Sequence, residues 1–440
     1  MAPQRDPSTH RLVPDKTRFP SGVQALAAKI HAIDLKLGIY TSVGATTCEG
    51  FPASYGHFEL DAQTFTDWGV DYLKIDTCGL VGSQHWNPMP HYEEMSTAIK
   101  KSQPRPVQFI YSICNWGFWS PWAHAPAFAH SWRSTMDIFP TFWRVLQIVD
   151  TAESLSLRNF ASAGAFNDHD MMECGVQGTL FNWPSMPAVE PLSLEECRTH
   201  VSLWALLSSP IILGMDMSSI SPQMASVIGE QRLFDIQRDE VQIGGGRRVL
   251  SVVNSGTMLK PHLWFSGYFG STIGMIPPLC VSKLWGEECE LTEIWARQLV
   301  GGGAAVLLFN RVGKARKITA DIVSSQCGFG AEEIWSGARF GAGVDARVGH
   351  VTLESEVEIH GSAFYIVKTT TRACADVEFD IAGNLAGGLF GEDEMRMDDL
   401  LLLFTVLVAL GARRVFSAEK EDEEEEQEDS DDISFDDDSE

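Results

Sequence analysis

Three short stretches carry side chains whose types and spacing could do chemistry together. In DYLKIDTCG, Asp71 to Gly79, Lys74 and Asp76 sit two apart in a run that reads as a buried strand. Side chains two apart on a strand share a face. Burying an amine and a carboxylate side by side costs free energy unless they are paired or working. In HSWRSTMDI, Arg133 precedes Asp137 by four residues, and in FNDHD, Asp168 and Asp170 again alternate. Two acids suffice to cleave a glycosidic bond, one ionised to attack and one protonated to release the leaving oxygen. Lys74 is expected to lower the pKa of Asp76 and keep it charged. Asp137, flanked by Met136 and Ile138, is expected to lose solvent, as an acid that keeps its proton requires. In a retaining reaction the two carboxyl groups stand roughly 5–5.5 Å apart.

These residues need elements that bring them to one place. Between Phe19 and Glu240, strand-like runs alternate with helical patterns. The strands expected are Leu35 to Val43, Asp71 to Asp76, Val107 to Ile113, a short piece at Ser131 to Thr135, Asn159 to Phe166, and Ser208 to Met215. Such alternation implies a parallel sheet covered by helices. In a barrel of this kind the functional groups collect at the C-terminal strand ends. There stand Tyr40, Lys74, Asp76, Cys114, Arg133, Asp137, Asp168, Asp170 and Asp216, with Trp116, Trp132 and Phe166 beside them. Aromatic faces stack on the C–H surfaces of sugars, and carboxylates bind their hydroxyls. No G-x-G-x-x-G follows the first strand, which counts against a dinucleotide. Six β/α units are countable, whereas a closed barrel needs eight. From IGGGRR at Ile243 onward the runs are short and alternating, an antiparallel β-sandwich pattern ending near Thr371.

Composition narrows the function further. The net charge of −26 is unevenly spread, because Glu419 to Glu440 holds 15 acids and one lysine and reads as a solvated tail. No basic stripe supports nucleic-acid binding. The nine cysteines include no CxxC pair, and two acids with His169 at irregular spacing are a poor metal set, so no metal and no organic cofactor is expected. A strand-end lysine such as Lys74 could form a Schiff base, but a neighbouring carboxylate opposes that role. Leu400 to Ala412 is apolar for 13 residues, short of the roughly 20 that span a bilayer. A packed helix is the simpler reading, and a membrane-associated segment at 400–412 the other. The start is polar and Pro-rich with no apolar h-region, so no signal peptide is expected.

The stretch GIYTSVGATTCEGFPASYGHFELDAQTFTDWGVDYLKIDTCG resembles glycoside hydrolase family 27, the α-galactosidase and α-N-acetylgalactosaminidase family of retaining glycosidases. YSICNWG, HSWRSTMDI, FNDHDMMECG and WALLSSPIILGMDM follow in that family's order, and the likeness runs from about Arg18 to Lys368. The resemblance implies Asp76 as nucleophile and Asp137 as general acid/base. It implies sugar contacts from Tyr40, Lys74, Cys114, Trp116, Arg133, Asp168 and Asp170, and a Cys48–Cys78 disulfide. The Cys-x-Trp loop leaves little room for a 2-acetamido group, so galactose is the expected sugar.

The family's barrel begins with two strands that have no counterpart before Leu35, and the second of these ends in a sugar-binding Asp-Asp pair. Phe166 and His169 replace the family's Trp and Pro. The expected architecture is therefore a (β/α)8-type barrel lacking its first two strands, then a β sandwich and a disordered acidic tail. Its segments are a disordered 1–18, a barrel over 19–240, a sandwich over 241–371, a linker over 372–398, an apolar helix over 399–414 and the tail over 415–440. The alternative to an active α-galactosidase is a truncated, inactive member whose open sheet exposes its edges. An α-galactoside is the expected partner and a homodimer the candidate assembly. The compartment is left open, the family being typically secreted, lysosomal or vacuolar.

Overall fold

The computed structural model describes residues 1–102, 109–157, 160–179, 188–241, 245–255, 258–259, 279–280, 290–312, 314–335, 342–369 and 380–382. All of them fall in one compact unit, Met1–Ala386. The expected helix at 399–414 and tail at 415–440 lie outside the described residues.

Five parallel strands run in sequence order: β1 (Gly38–Ser42), β2 (Tyr72–Asp76), β3 (Ile110–Ile113), β4 (Ser131–Arg133) and β5 (Phe166–Asp168). Helices α1 (Gly22–His31), α2 (Phe58–Asp67), α3 (Met89–Ser102), α4 (Pro121–His124), α5 (Phe142–Leu157) and α6 (Leu194–Leu206) connect and follow them. The period of two explains the layering. On β2, Leu73 and Ile75 are fully buried and join Phe65, Tyr92, Met95, Ile113 and Trp132 in one core, while Lys74 and Asp76 face the other way. Because the strands are parallel and in register, Tyr40 beside Lys74 and Arg133 beside Asp168, their C-terminal ends form one rim. Among the described residues no strand precedes β1, and β1 pairs with β2 alone.

Three expected elements differ. β5 starts at Phe166 rather than Asn159, because Ser162 and Ala165 exchange backbone hydrogen bonds in a tight turn with Gly164 at φ 77°. Ser208 to Met215 is not a strand. It makes one parallel bridge, Met172 beside Leu213, because Pro210 has no N–H to donate and Ser208 takes φ 56°. Residues 1–18 are not disordered. Arg5 forks onto the fully buried Asp61 at 2.7 and 2.6 Å and reaches the Ala53 carbonyl at 2.7 Å, while Leu12 enters the core. A buried carboxylate needs such a partner, and the first residues supply it.

The sandwich forms as expected. Gly303–Val312 lies between Glu290–Leu299 and Ser362–Thr369, and Arg247–Ser255 closes that side. One long strand, Arg316–Trp335, serves two neighbours. Its first half pairs with Ala342–Val357 and its second half with Ser362–Thr369. Along Gly303–Val312, Ala304, Val306 and Leu308 fill the sandwich core while Ala305, Leu307 and Phe309 pack against Val145, Val149 and Trp204 of the helices. Asp380–Ala382 adds antiparallel to Asp321–Val323, so the expected linker over 372–398 includes a short strand.

Candidate active site

Asp76 ends β2 and is 6% exposed. The Thr77 amide donates to its Oδ1 at 2.7 Å, and the Tyr40 hydroxyl lies 3.2 Å from Oδ2 and 3.0 Å from Cys48 Sγ. One phenol proton cannot serve both, and the carboxylate is the stronger acceptor. Burial raises the Asp76 pKa, the Thr77 amide and Lys74 oppose that rise, and Asp137 adds to it. The expectation that Lys74 lowers this pKa is thus corrected: its attraction is present, but the loss of water outweighs it. Burial also disfavours the charged amine of Lys74. Nearby Cys114, Asp170 and Asp76 nevertheless leave its pKa raised, with Arg133 opposing.

Arg133, at the end of β4, is 2% exposed and is the hub of the rim. Its Nη2 meets Asp170 Oδ2 at 2.5 Å, its Nη1 meets Asp137 Oδ1 at 3.1 Å, and the Cys114 thiol lies 3.8 Å from Nη1. Burial disfavours its charge, but the surrounding acids push its pKa upward. Its buried Nε has no acceptor among the described residues. Asp137 itself is 62% exposed. Met136 and Ile138 therefore do not bury it as expected, because the backbone turns its side chain outward beside the guanidinium. Asp168 is buried with a raised pKa, burial outweighing Arg133, and accepts from the Asp170 amide at 2.8 Å. Asp170 adopts φ 79°, a conformation non-glycine residues hold only when their surroundings fix it.

The disulfide Cys48–Cys78 is present, with Cα atoms 5.0 Å apart, and ties the turn after β1 to the end of β2. Cys48, Asp76 and Cys78 bring ligand-type atoms within 4.8 Å of one another, but both sulfurs are spent in that bond, which leaves one carboxylate. A second disulfide, Cys174–Cys197, fastens the loop after β5 to α6, and sequence reasoning assigned those cysteines nothing. Cys114 is a buried free thiol that burial pushes far up. Trp116 follows at φ 57°, and Gly117 at φ 82° abuts the Ser134 carbonyl so closely that a Cβ would lie 2.4 Å from it. That contact fixes the loop after β3 against the end of β4.

Several positioning groups carried no signal in the sequence. Thr77 Oγ1 and the Tyr92 hydroxyl lie 2.5 Å apart and both reach the Cys114 carbonyl, at 2.6 and 2.9 Å, so one hydroxyl donates to the other and the second donates to the carbonyl. His169 is buried against Ser134 Oγ at 2.9 Å, and burial, aided by Arg133, lowers its pKa to about 3, so it is a neutral packing group. Glu173 is buried enough to be pushed up to about 8, with Asp170 contributing. Asp216, expected at a strand end of the rim, is instead an exposed residue that caps a turn by accepting from the Ser218 amide and hydroxyl, because Ser208 to Met215 is not a strand.

A rim of parallel strands that gathers a buried carboxylate, an exposed one, two cations and aromatic side chains defines a protein of the carbohydrate-cleaving barrel class. The α-galactosidase A family model matches residues 1–239, and the α-galactosidase C-terminal β-sandwich model matches residues 290–367. A probable α-galactosidase B from Neosartorya fischeri is 30% identical over 416 residues, covering 84% of this chain and 81% of its own. An α-galactosidase A from Cellvibrio japonicus is 40% identical over 240 residues, 52% of this chain and 54% of its own. The crystal structure of α-galactosidase I from Mortierella vinacea superposes with a TM-score of 0.62 at 26% identity, covering 83% of this chain and 84% of that one. The chain belongs to the α-galactosidase family, glycoside hydrolase family 27.

Proposed function

We propose that this protein is a retaining α-galactosidase that releases terminal α-galactosyl residues by double displacement. Asp76 attacks the anomeric carbon while Asp137 protonates the leaving oxygen. The sugar is then held as an ester on Asp76. Asp137 next takes a proton from water, and that water displaces Asp76, so the anomeric configuration is retained. Tyr40, Lys74, Arg133, Asp168 and Asp170 hold the sugar hydroxyls, and Cys114 with Trp116 line the side where a 2-substituent would lie. The scheme draws only on protein groups and water.

The observation that carries this reading is the contrast between the two acids around Arg133. Asp76 is enclosed and hydrogen-bonded on both oxygens, as a fixed nucleophile needs. Asp137 is open to solvent, as a group that must give a proton to one oxygen and take it from another needs. The experiment is turnover of p-nitrophenyl α-galactoside and its 2-acetamido analogue, followed by NMR of the first-formed anomer. α-Galactose released first, with the plain galactoside preferred, supports the reading. β-Anomer first, or preference for the acetamido sugar, overturns it.

Two finer readings go with it. A homodimer is tested by sedimentation velocity, and a membrane contact through residues 400–412 by flotation with liposomes. No helix among the described residues is long and apolar enough to cross a membrane.

A further inference from the structure

Arg144 stands in the first turn of α5 and is 2% exposed. Both facts are unfavourable for a cation. The N-terminus of a helix carries a partial positive charge, and burial strips hydration from the guanidinium. Burial indeed lowers its pKa to about 10, with Arg133 contributing. Neutral acceptors offset part of these costs, and the charges of Asp170 and Asp137 offset another part. Its Nε donates to the Asp137 carbonyl at 2.9 Å, its Nη2 donates to the Met136 carbonyl, and its Nη1 donates to Gln147 Oε1 at 3.0 Å. The Phe139 ring lies 5.7 Å from its carbon centre. One buried side chain thus grips the peptides before and after the Asp137 Cα, while the Asp137 carboxylate remains in solvent.

We propose that Arg144 is a positioning residue for the acid/base step: it fixes the 136–137 backbone so that the exposed Asp137 carboxylate keeps its place against the leaving oxygen. The inference rests on the reading of Asp137 as acid/base. Arg133 holds the Asp137 carboxylate at 3.1 Å and the Thr135 carbonyl at 3.2 Å, and Asp170 accepts from the Ile138 amide at 2.8 Å, but these contacts leave the carbonyls of residues 136 and 137 to Arg144. A side chain that is mostly exposed gains little order from its own packing, so its aim is set by its backbone. Misplacement by about 1 Å at a reacting group costs on the order of 10²-fold in rate.

The test compares two substrates whose need for a proton differs. p-Nitrophenyl α-galactoside has a good leaving group and methyl α-galactoside a poor one, so their ratio of kcat/KM reports acid assistance. D137A sets the scale and is expected to raise that ratio by about 10²-fold or more. R144M is expected to raise it about tenfold, with R144K between R144M and the unmodified protein. Azide, which needs no base to attack the sugar ester, is expected to restore turnover of the nitrophenyl substrate in D137A and partly in R144M. A purely structural role would lower both substrates alike. An unchanged ratio in R144M and R144K, with D137A raised, overturns the proposal. An unchanged ratio in D137A itself overturns the acid/base reading of Asp137 instead. Melting curves accompany each variant. Where R144M does not fold, R144K decides by the same ratio: raised supports the proposal, unchanged overturns it.

Discussion

The molecule buries arginines in two regions, and they shift in opposite directions. At the rim of the parallel sheet, Arg133 sits among Asp170, Asp137 and Asp168, and its pKa rises. Where the helices meet the sandwich, Arg297 donates to the carbonyls of Ala205, Gln237 and Asp239, and its pKa falls to about 10. Carbonyls satisfy hydrogen bonds but bring no net charge to balance a buried cation. The first region concentrates opposite charge and leaves one acid open to water. The second spends its cation on joining backbone segments. Arg144 belongs to the second kind by its acceptors and its lowered pKa, yet it lies against the loop of the first. The comparison separates charge placed for chemistry from charge placed for cohesion.

The strongest way to break that comparison is to remove the nucleophile. D76N is expected to lower kcat by about 10⁴-fold or more while leaving the melting temperature unchanged or slightly raised, because the amide no longer carries the cost of a buried charge. A large fall in melting temperature would place Asp76 with the cohesive groups. R133M against R297M sharpens the contrast. R133M is expected to lose kcat/KM by at least about 10²-fold at any temperature where it is folded, and also to melt early because the buried Asp170 loses its cation, whereas R297M is expected to melt early and to retain kcat at low temperature. The buried pair of Arg311 with Glu293, bolted also to Asp150 of α5 at 2.5 Å, gives a third case. R311M is expected to cost about 3–5 kcal/mol, read from denaturant unfolding, with the pH–rate profile unmoved.

How much of this was legible beforehand follows from what each signal depends on. The rim residues on β1 to β4 could be placed because alternation and strand ends are local properties. The same holds for the sandwich strands Gly303–Val312 and Ser362–Thr369, which are short apolar alternations bounded by turns. Glu290–Leu299 was not legible as a strand, because Glu290, Glu293 and Arg297 break the apolar pattern. Their burial is made tolerable chiefly by distant partners, the Arg311 guanidinium for Glu293 and the carbonyls of Ala205, Gln237 and Asp239 for Arg297, with Trp295 Nε1 also donating to Glu293. The clamp of Arg5 on Asp61 and that of Arg144 on the 136–137 loop were silent for the same reason: a lone arginine has no period. The Cys48–Cys78 bond was reached through the family resemblance, whereas Cys174–Cys197 depends on where α6 docks.

The smallest expected effect concerns Glu173. Its folded pKa is pushed up to about 8 from an ordinary 4.5, so between those values the unfolded chain releases a proton that the native state keeps. Stability from this group is full below the unfolded pKa and is lost as pH rises toward 8. E173Q lacks that loss. Its melting temperature is therefore expected to match the unmodified protein near pH 4.5 and to exceed it by a few degrees at pH 9. A constant difference across that range would contradict the burial argument. The Asp76 shift has a related sign in kinetics. Because the nucleophile must be ionised and burial raises its pKa, the acidic limb of kcat/KM is expected above the ordinary aspartate value of 3.8.

The most direct measurement traps the covalent sugar. A fluorinated α-galactosyl fluoride, which forms the ester quickly and hydrolyses slowly, is incubated with the protein and the peptides are sequenced by mass spectrometry. The account predicts one added fluorogalactosyl group, carried by Asp76 in the segment spanning residues 71–79. A label on any other residue, or steady turnover with no adduct at all, would contradict it.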